Sequence, residues 1–135
     1  MFTYHTRIFL HHTDAAGRLF YANQFFLMHE AKELFLEKIG LPMKELLGHP
    51  EATFPLVHAE ADYKAMLVAD DRIRITVEVE KLGETSATTL FTIFKEDGTL
   101  AGTGKTVNVA VSKKNGVKMP IPPEWRAAYE KHLKK

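Results

Sequence analysis

Apolar and polar residues alternate along much of the chain. Phe2, Tyr4, Ile8 and Leu10 fall on one side and Thr3, His5, Arg7 and His11 on the other, which predicts a strand over 2–11. At 56–63, Val57, Ala59, Ala61 and Tyr63 alternate with Leu56, His58, Glu60 and Asp62, a second strand. The alternation is cleanest at 72–82. There Ile73, Ile75, Val77 and Val79 oppose Arg72, Arg74, Thr76, Glu78 and Glu80, giving one dry face and one wet face. Two more strands are predicted over 85–95, rich in Thr, Phe and Ile, and over 99–112. Gly102 and Gly104 in the last of these predict a bulge, or close approach by another backbone or a ligand. Gly83-Glu84, Glu96-Asp97-Gly98 and Lys113 to Gly116 read as turns.

Between 22 and 39 the period changes to that of a helix. Leu27, Met28, Ala31, Leu34, Phe35 and Ile39 form one stripe, widened by Phe25, Phe26 and Leu36. Asn23 is the predicted cap, and Gly40 with Pro42 ends the helix. Glu30, Glu33 and Glu37 read as a solvated face. A short helical turn over 43–47 and a helix from Pro122-Pro123 to about 133 complete the elements. A strand, a long apolar helix, then four strands in successive hairpins imply an antiparallel sheet curved over the helix, an α+β class. With no repeat and no linker, residues 1–135 read as a single domain.

Composition narrows the function. At 45% hydrophobic and 26% charged the chain is that of an ordinary globular domain, long enough to bury a core without metals or disulfides. It has no cysteine, so disulfides, thiolate nucleophiles and Cys-ligated zinc are excluded. A formal net charge of +1 does not argue for nucleic acid, and Lys113, Lys114, Lys118 and Lys131 to Lys135 read as solvated surface and tail. There is no apolar run of membrane-spanning length and no signal-peptide pattern, so a cytoplasmic protein without a membrane partner is expected. His5, His11 and His12 suggest a metal, but neighbours on a strand face opposite ways, so no metal is expected.

The chemistry gathers in Thr13-Asp14-Ala15-Ala16-Gly17-Arg18-Leu19-Phe20-Tyr21-Ala22-Asn23, between the first strand and the long helix. A loop carboxylate beside a helix start lies near unpaired N–H donors and the positive end of the helix dipole, which together can hold an oxyanion. This suggests acyl chemistry. Alone, Asp14 would read as an Asx-turn residue and Tyr21 as an aromatic packed at the helix entry.

Asp14-Ala15-Ala16-Gly17 with Tyr21-Ala22-Asn23 resembles the hotdog-fold thioesterases of the 4-hydroxybenzoyl-CoA family, as do Phe54-Pro55-Leu56-Val57, Lys81-Leu82-Gly83 and Gly104-Lys105-Thr106-Val107. His29-Glu30-Ala31 and Val57-His58-Ala59 are also similar to thioesterases acting on 1,4-dihydroxy-2-naphthoyl-CoA. The resemblance implies a hotdog fold, an antiparallel sheet wrapped around one long central helix. It also implies a homodimer, sometimes a homotetramer, with the site between subunits. Asp14 then takes the carboxylate position as nucleophile or general base, the Tyr21 N–H polarises the thioester carbonyl, and Gly17 shapes the loop. Substrate contacts fall to Ala22, Asn23, Val57, His58, Lys81 and Lys105. Coenzyme A enters only as part of the substrate, and no cofactor or metal is implied. Tyr21, where many relatives of broad or short-chain preference carry His, resembles the aromatic-acyl enzymes. The competing readings are a hotdog hydratase or dehydratase and a non-catalytic acyl-CoA binding module.

Overall fold

The computed structural model describes residues 1–134, so Lys135 of the expected lysine tail lies outside the described residues. Among them the order is β1 (Phe2–Arg7), a 3-10 turn (Leu10–His12), α1 (Asn23–Lys38), α2 (Met43–Leu47), β2 (Ala52–Thr53), β3 (Leu56–Tyr63), β4 (Arg72–Leu82), β5 (Ser86–Lys95), β6 (Leu100–Val109), β7 (Val111–Ser112) and α3 (Pro123–Glu130). Five strands form one antiparallel sheet in the spatial order β1-β4-β5-β6-β3, and β2 pairs separately with β7. The sheet curves around α1, the α+β hotdog arrangement expected. Among the described residues no helix is long and apolar enough to cross a membrane.

The packing follows from the patterns. Ile73, Ile75, Val77 and Val79 of β4 are buried in one cluster with Leu27, Met28, Ala31 and Phe35 of α1. β6 turns Gly102, Gly104, Thr106 and Asn108 inward, and two of those positions carry no side chain. A Cβ on Gly102 would lie 2.8 Å from the Gln24 amide, and one on Gly104 would collide with the Met28 thioether. The predicted close approach is therefore real, made nearest by side chains of α1 and, behind them, by the β3 backbone, with the Asp62 and Glu60 carbonyl oxygens 3.1 and 3.3 Å from the two Cβ positions. Gln24, buried in the first turn of α1, donates from Nε2 to the carbonyls of Asp62 and Thr103 and fixes the helix over β3 and β6. Gly40, at φ +91°, closes α1 in the left-handed conformation glycine tolerates.

Several expectations are corrected. β1 stops at Arg7 because Ile8 bonds instead to the 70–71 turn, accepting from the Asp70 N–H and donating to the Asp71 carbonyl. Leu10, placed with Ile8 on one side of the expected strand, is exposed while Ile8 is buried, and His11-His12 sit on a 3-10 turn rather than a strand. Leu34 is also exposed. β3 has the predicted bounds but pairs with β6, not with β4, so the 64–71 segment carries the chain from one side of the sheet to the other. A bulge at Val57 puts Leu56 on the same face as Ala59 and Ala61. The expected 99–112 strand breaks at Ala110, whose N–H bonds the Thr85 carbonyl, and β7 then meets β2. α3 ends at Glu130, short of the expected 133, and Leu133 instead bridges to Val79.

Candidate active site

The loop before α1 is tied at both ends. Thr13 bridges to Leu19 and Arg18 to Val68, while the Leu19 N–H donates to the Leu67 carbonyl. Within it, Asp14 closes an Asx turn: Oδ1 accepts from the N–H of Ala16 at 2.9 Å and of Arg18 at 3.3 Å. Gly17 reverses the chain at φ +78° and donates to the Asp14 carbonyl. Asp14 is exposed in the single protomer, and Oδ2 has no protein partner among the described residues. Asp14 therefore serves as a turn-former and keeps a carboxylate oxygen available, since one oxygen builds the loop and the other is spare.

The helix start is held from behind. His12 is buried, and its carbonyl accepts from the Phe20 N–H and from Asn23 Nδ2 at 2.8 Å. Asn23 is therefore not the cap: its side chain makes no cap bond, Ala22 occupies that position, and Asn23 instead ties the helix to the loop. Burial, with His11 adding to it, lowers the pKa of His12, which accepts the Phe9 N–H on Nδ1. The Tyr21 carbonyl accepts from the Tyr63 hydroxyl at 2.7 Å. Burial raises the pKa of Tyr63, with Tyr21 reinforcing it. The N–H groups of Tyr21 and Ala22 have no acceptor among the described residues. The Tyr21 ring is exposed rather than packed in the core, and rests at a tilt on Phe20. Beside it lies a cleft of about 370 Å³ between Arg18, Gln24, Tyr63 and Met66.

A second groove, of about 260 Å³, runs along the flank of α1 from Phe25 past Met28 to Lys32, walled by Leu56 and Ala59 of β3 and by Phe91 and Thr106. Lys32 is 8% exposed, and burial lowers its pKa to about 8. Its Nζ donates to Asn108 Oδ1, and Asn108 Nδ2 donates to the Phe54 carbonyl.

The other expected residues are spread out. Val57 and His58 lie at the opposite end of β3 from Tyr63, and His58 pairs with Glu60 on the face turned away from α1. Lys105 also faces outward and pairs with Glu80 at 3.2 Å. Lys81 sits at the far end of β4, about 30 Å along the strand from Arg72 at the loop end. Within one protomer, Asp14, Gly17, Tyr21, Ala22 and Asn23 come together, and these four do not join them. Glu30 and Glu33 are exposed as read, with Glu33 paired to His29. The reading missed Gln24, Tyr63, Lys32 and Thr106. The signal for Gln24 and Lys32 was positional, because both fall on the apolar side of the helix.

The chain is similar to known proteins in sequence and in fold. A family model described as the thioesterase-like superfamily matches residues 9–129. A 1,4-dihydroxy-2-naphthoyl-CoA hydrolase from Rippkaea orientalis is 32% identical over 120 residues, 87% of each chain. Among solved structures, a 1,4-dihydroxy-2-naphthoyl-CoA thioesterase from Synechocystis superposes with a TM-score of 0.89 at 26% identity, covering 95% of this chain and 94% of that one. A gentisyl-coenzyme A thioesterase gives 0.82 at 31% identity, covering 95% and 98%.

Proposed function

Because the chain belongs to the thioesterase-like superfamily and is an acyl-CoA thioester hydrolase like its named relatives, we propose that its substrate is an aromatic acyl-CoA and that Asp14 and the Tyr21 N–H carry the reaction. The observation that supports this assignment is an unpaired N–H at the start of α1, seven residues after a carboxylate with one free oxygen. The thioester oxygen accepts from the Tyr21 N–H, with Ala22 as a second donor, where the helix dipole stabilises negative charge. Asp14 Oδ2 either attacks the carbonyl, giving a mixed anhydride that water opens, or takes a proton from the attacking water. In both routes the C–S bond breaks, sulfur leaves with the electron pair, and coenzyme A gains a proton. Neither route calls on a metal or cofactor beyond the substrate's own coenzyme A.

The reading includes a second protomer. The outer edge of β3 is unpaired among the described residues, and nearby Phe26, Leu56 and Val57 are 64%, 53% and 58% exposed. An edge strand with unpaired backbone groups is an open template for another strand. Antiparallel pairing of two β3 strands about a two-fold would set the partner's Val57 and His58 beside Asp62 and Tyr63, and Tyr63 contacts Tyr21. The partner's Val57 would then approach the site from across the interface, whereas the partner's His58 would meet Asp62 on the outer face of the joined sheet.

The test is thiol release from a panel of aromatic and aliphatic acyl-CoA thioesters. Aromatic substrates should exceed acetyl-CoA, and Asp14→Asn should lower kcat by about a thousandfold or more while thioester binding persists. An acetyl-favouring panel would remove the aromatic assignment, and full turnover by Asp14→Asn would remove the assigned carboxylate. Binding without turnover in the unmodified protein would favour the non-catalytic alternative.

A further inference from the structure

Two spaces lie in line along the flank of α1, and Lys32 stands where they meet. The first is the groove of about 260 Å³ that begins at Phe25. The second, of about 330 Å³, continues past Lys32 to Leu36 and is walled by Met43 and Leu46 of α2, by Phe54 and by Tyr129 of α3. His29, Lys32 and Leu56 line both. Asp14 and Tyr21 do not line the second space, which is of a size that buries a small ligand. Lys32 is buried among these walls, and no carboxylate pairs with it among the described residues. Its Nζ donates to a neutral acceptor, Asn108 Oδ1, which the bond from Asn108 Nδ2 to the Phe54 carbonyl holds in place. Desolvation without a counter-charge favours the neutral amine, the nucleophilic form. With the pKa lowered to about 8, about a tenth of Lys32 is neutral at pH 7, roughly 300 times the fraction for a lysine at 10.5. The other titratable groups lining the two spaces are His29, which pairs with Glu33, and Tyr129, whose phenol is held protonated by burial.

We infer that Lys32 is an acyl-acceptor site: an acyl-CoA whose acyl group lies in the second space transfers it to Nζ and leaves an amide on the protein. The inference rests on the acyl-CoA reading above, whose thioester is the only co-reactant the step needs. Lys32 lies nine residues after Asn23, about 13 Å along the axis. A thioester held at the Tyr21 N–H is therefore hydrolysed away from the amine. One seated deeper, with its acyl group beyond Lys32, presents its carbonyl to Nζ. The amine lone pair attacks the carbonyl carbon, the C–N bond forms, the C–S bond breaks, and sulfur leaves with the electron pair. One proton passes from nitrogen to sulfur, giving free coenzyme A. The amide that remains keeps an N–H for Asn108 Oδ1 and carries no charge, so the step removes a buried ammonium that is costly to the fold.

The experiment incubates Asp14→Asn, in which the thioester persists, with benzoyl-CoA or acetyl-CoA between about pH 7 and 9. Intact mass is followed over time and the modified peptides are mapped. Wild type and Lys32→Met run in parallel, with free thiol recorded. Asp14→Asn should gain one acyl group per chain, and at pH 7 Lys32 should react about tenfold or more faster than any other lysine. Its rate should level off above about pH 9, where exposed lysines still accelerate. Lys32→Met should lack the fast addition. Mapping locates the acyl group in a chain that retains Lys32, so the question stays answerable if Lys32→Met fails to fold. Acylation spread evenly over the lysines, or none while wild type releases thiol, overturns the inference and leaves the hydrolase reading standing. Fast acylation of Lys32 by acetyl-CoA, with benzoyl-CoA neither hydrolysed nor transferred, supports the inference and removes the aromatic assignment. If Asp14→Asn hydrolyses as fast as wild type, the assigned carboxylate falls, and the Lys32 peptide still decides the inference.

Discussion

The inner face of β6 is two surfaces in sequence. At Gly102 and Gly104 it has no side chains, and Gln24 and Met28 of α1 fill the space to the backbone. At Thr106 and Asn108 it carries polar groups, and a groove remains between it and the helix. The same strand meets the same helix in both places. The difference shows where this molecule is rigid and where it leaves room. Close contact fixes the first turn of α1, next to the N–H groups of Tyr21 and Ala22 that have no acceptor among the described residues. One turn later the packing loosens into an open groove of about 260 Å³.

Removing the buried ammonium is the strongest way to disturb the open half. Lowering the Lys32 pKa from 10.5 to about 8 on folding costs on the order of 3 kcal/mol at neutral pH. The folded-state value is depressed, so between about pH 8 and 10.5 the unfolded chain holds more protons. Stability therefore rises with pH across that window, and the cost is fully present below it. Lys32→Met should stabilise the protein by about 2 kcal/mol at pH 7, after about 1 kcal/mol is lost for the unsatisfied Asn108 Oδ1. It should also flatten the rise above pH 8, as denaturant melts at several pH values would show. A lower midpoint at pH 7 would contradict this account.

Gly104→Ala probes the closed half. Its Cβ would meet Met28, which has β6 on one side and the core on the other, so a loss of about 1 to 2 kcal/mol is expected by thermal melting. Stability unchanged within error would mean that Met28 is free to move. Thr106→Val should shift stability least, by less than about 1 kcal/mol and toward greater stability, because it removes a polar atom that has no partner. A marked loss would mean that the hydroxyl has an acceptor in the folded protein. Separately, Val57→Glu on the open edge should convert any dimer to monomer in sedimentation analysis and lower turnover with it.

How much of this was legible depended on what each pattern encodes. The bounds of β4 were read correctly because its alternation is enforced by a dry face against α1. β3 was bounded equally well, yet its neighbour was misjudged. Alternation reports which way a side chain faces and carries nothing about the strand alongside. Asn23 was read by residue type as a cap, but its amide had a better acceptor in the His12 carbonyl. The loop with Asp14, Gly17 and Tyr21 was legible because a positive-φ glycine, a turn-forming carboxylate and a helix start are each local in sequence. Gln24 and Lys32 were not, since their importance comes from Asp62, Thr103 and Asn108, all more than 35 residues away. A polar letter inside a helical pattern reads as solvated until its angular position is checked against the stripe.

The division of labour at Asp14 has a practical outcome. An asparagine side chain keeps the carbonyl oxygen that accepts from Ala16 and Arg18 while removing the charge on the other side. Asp14→Asn should therefore leave the loop's shape intact and retain an unreacted thioester. That makes it suited to trapping the bound substrate for crystallography and seeing the acyl group directly.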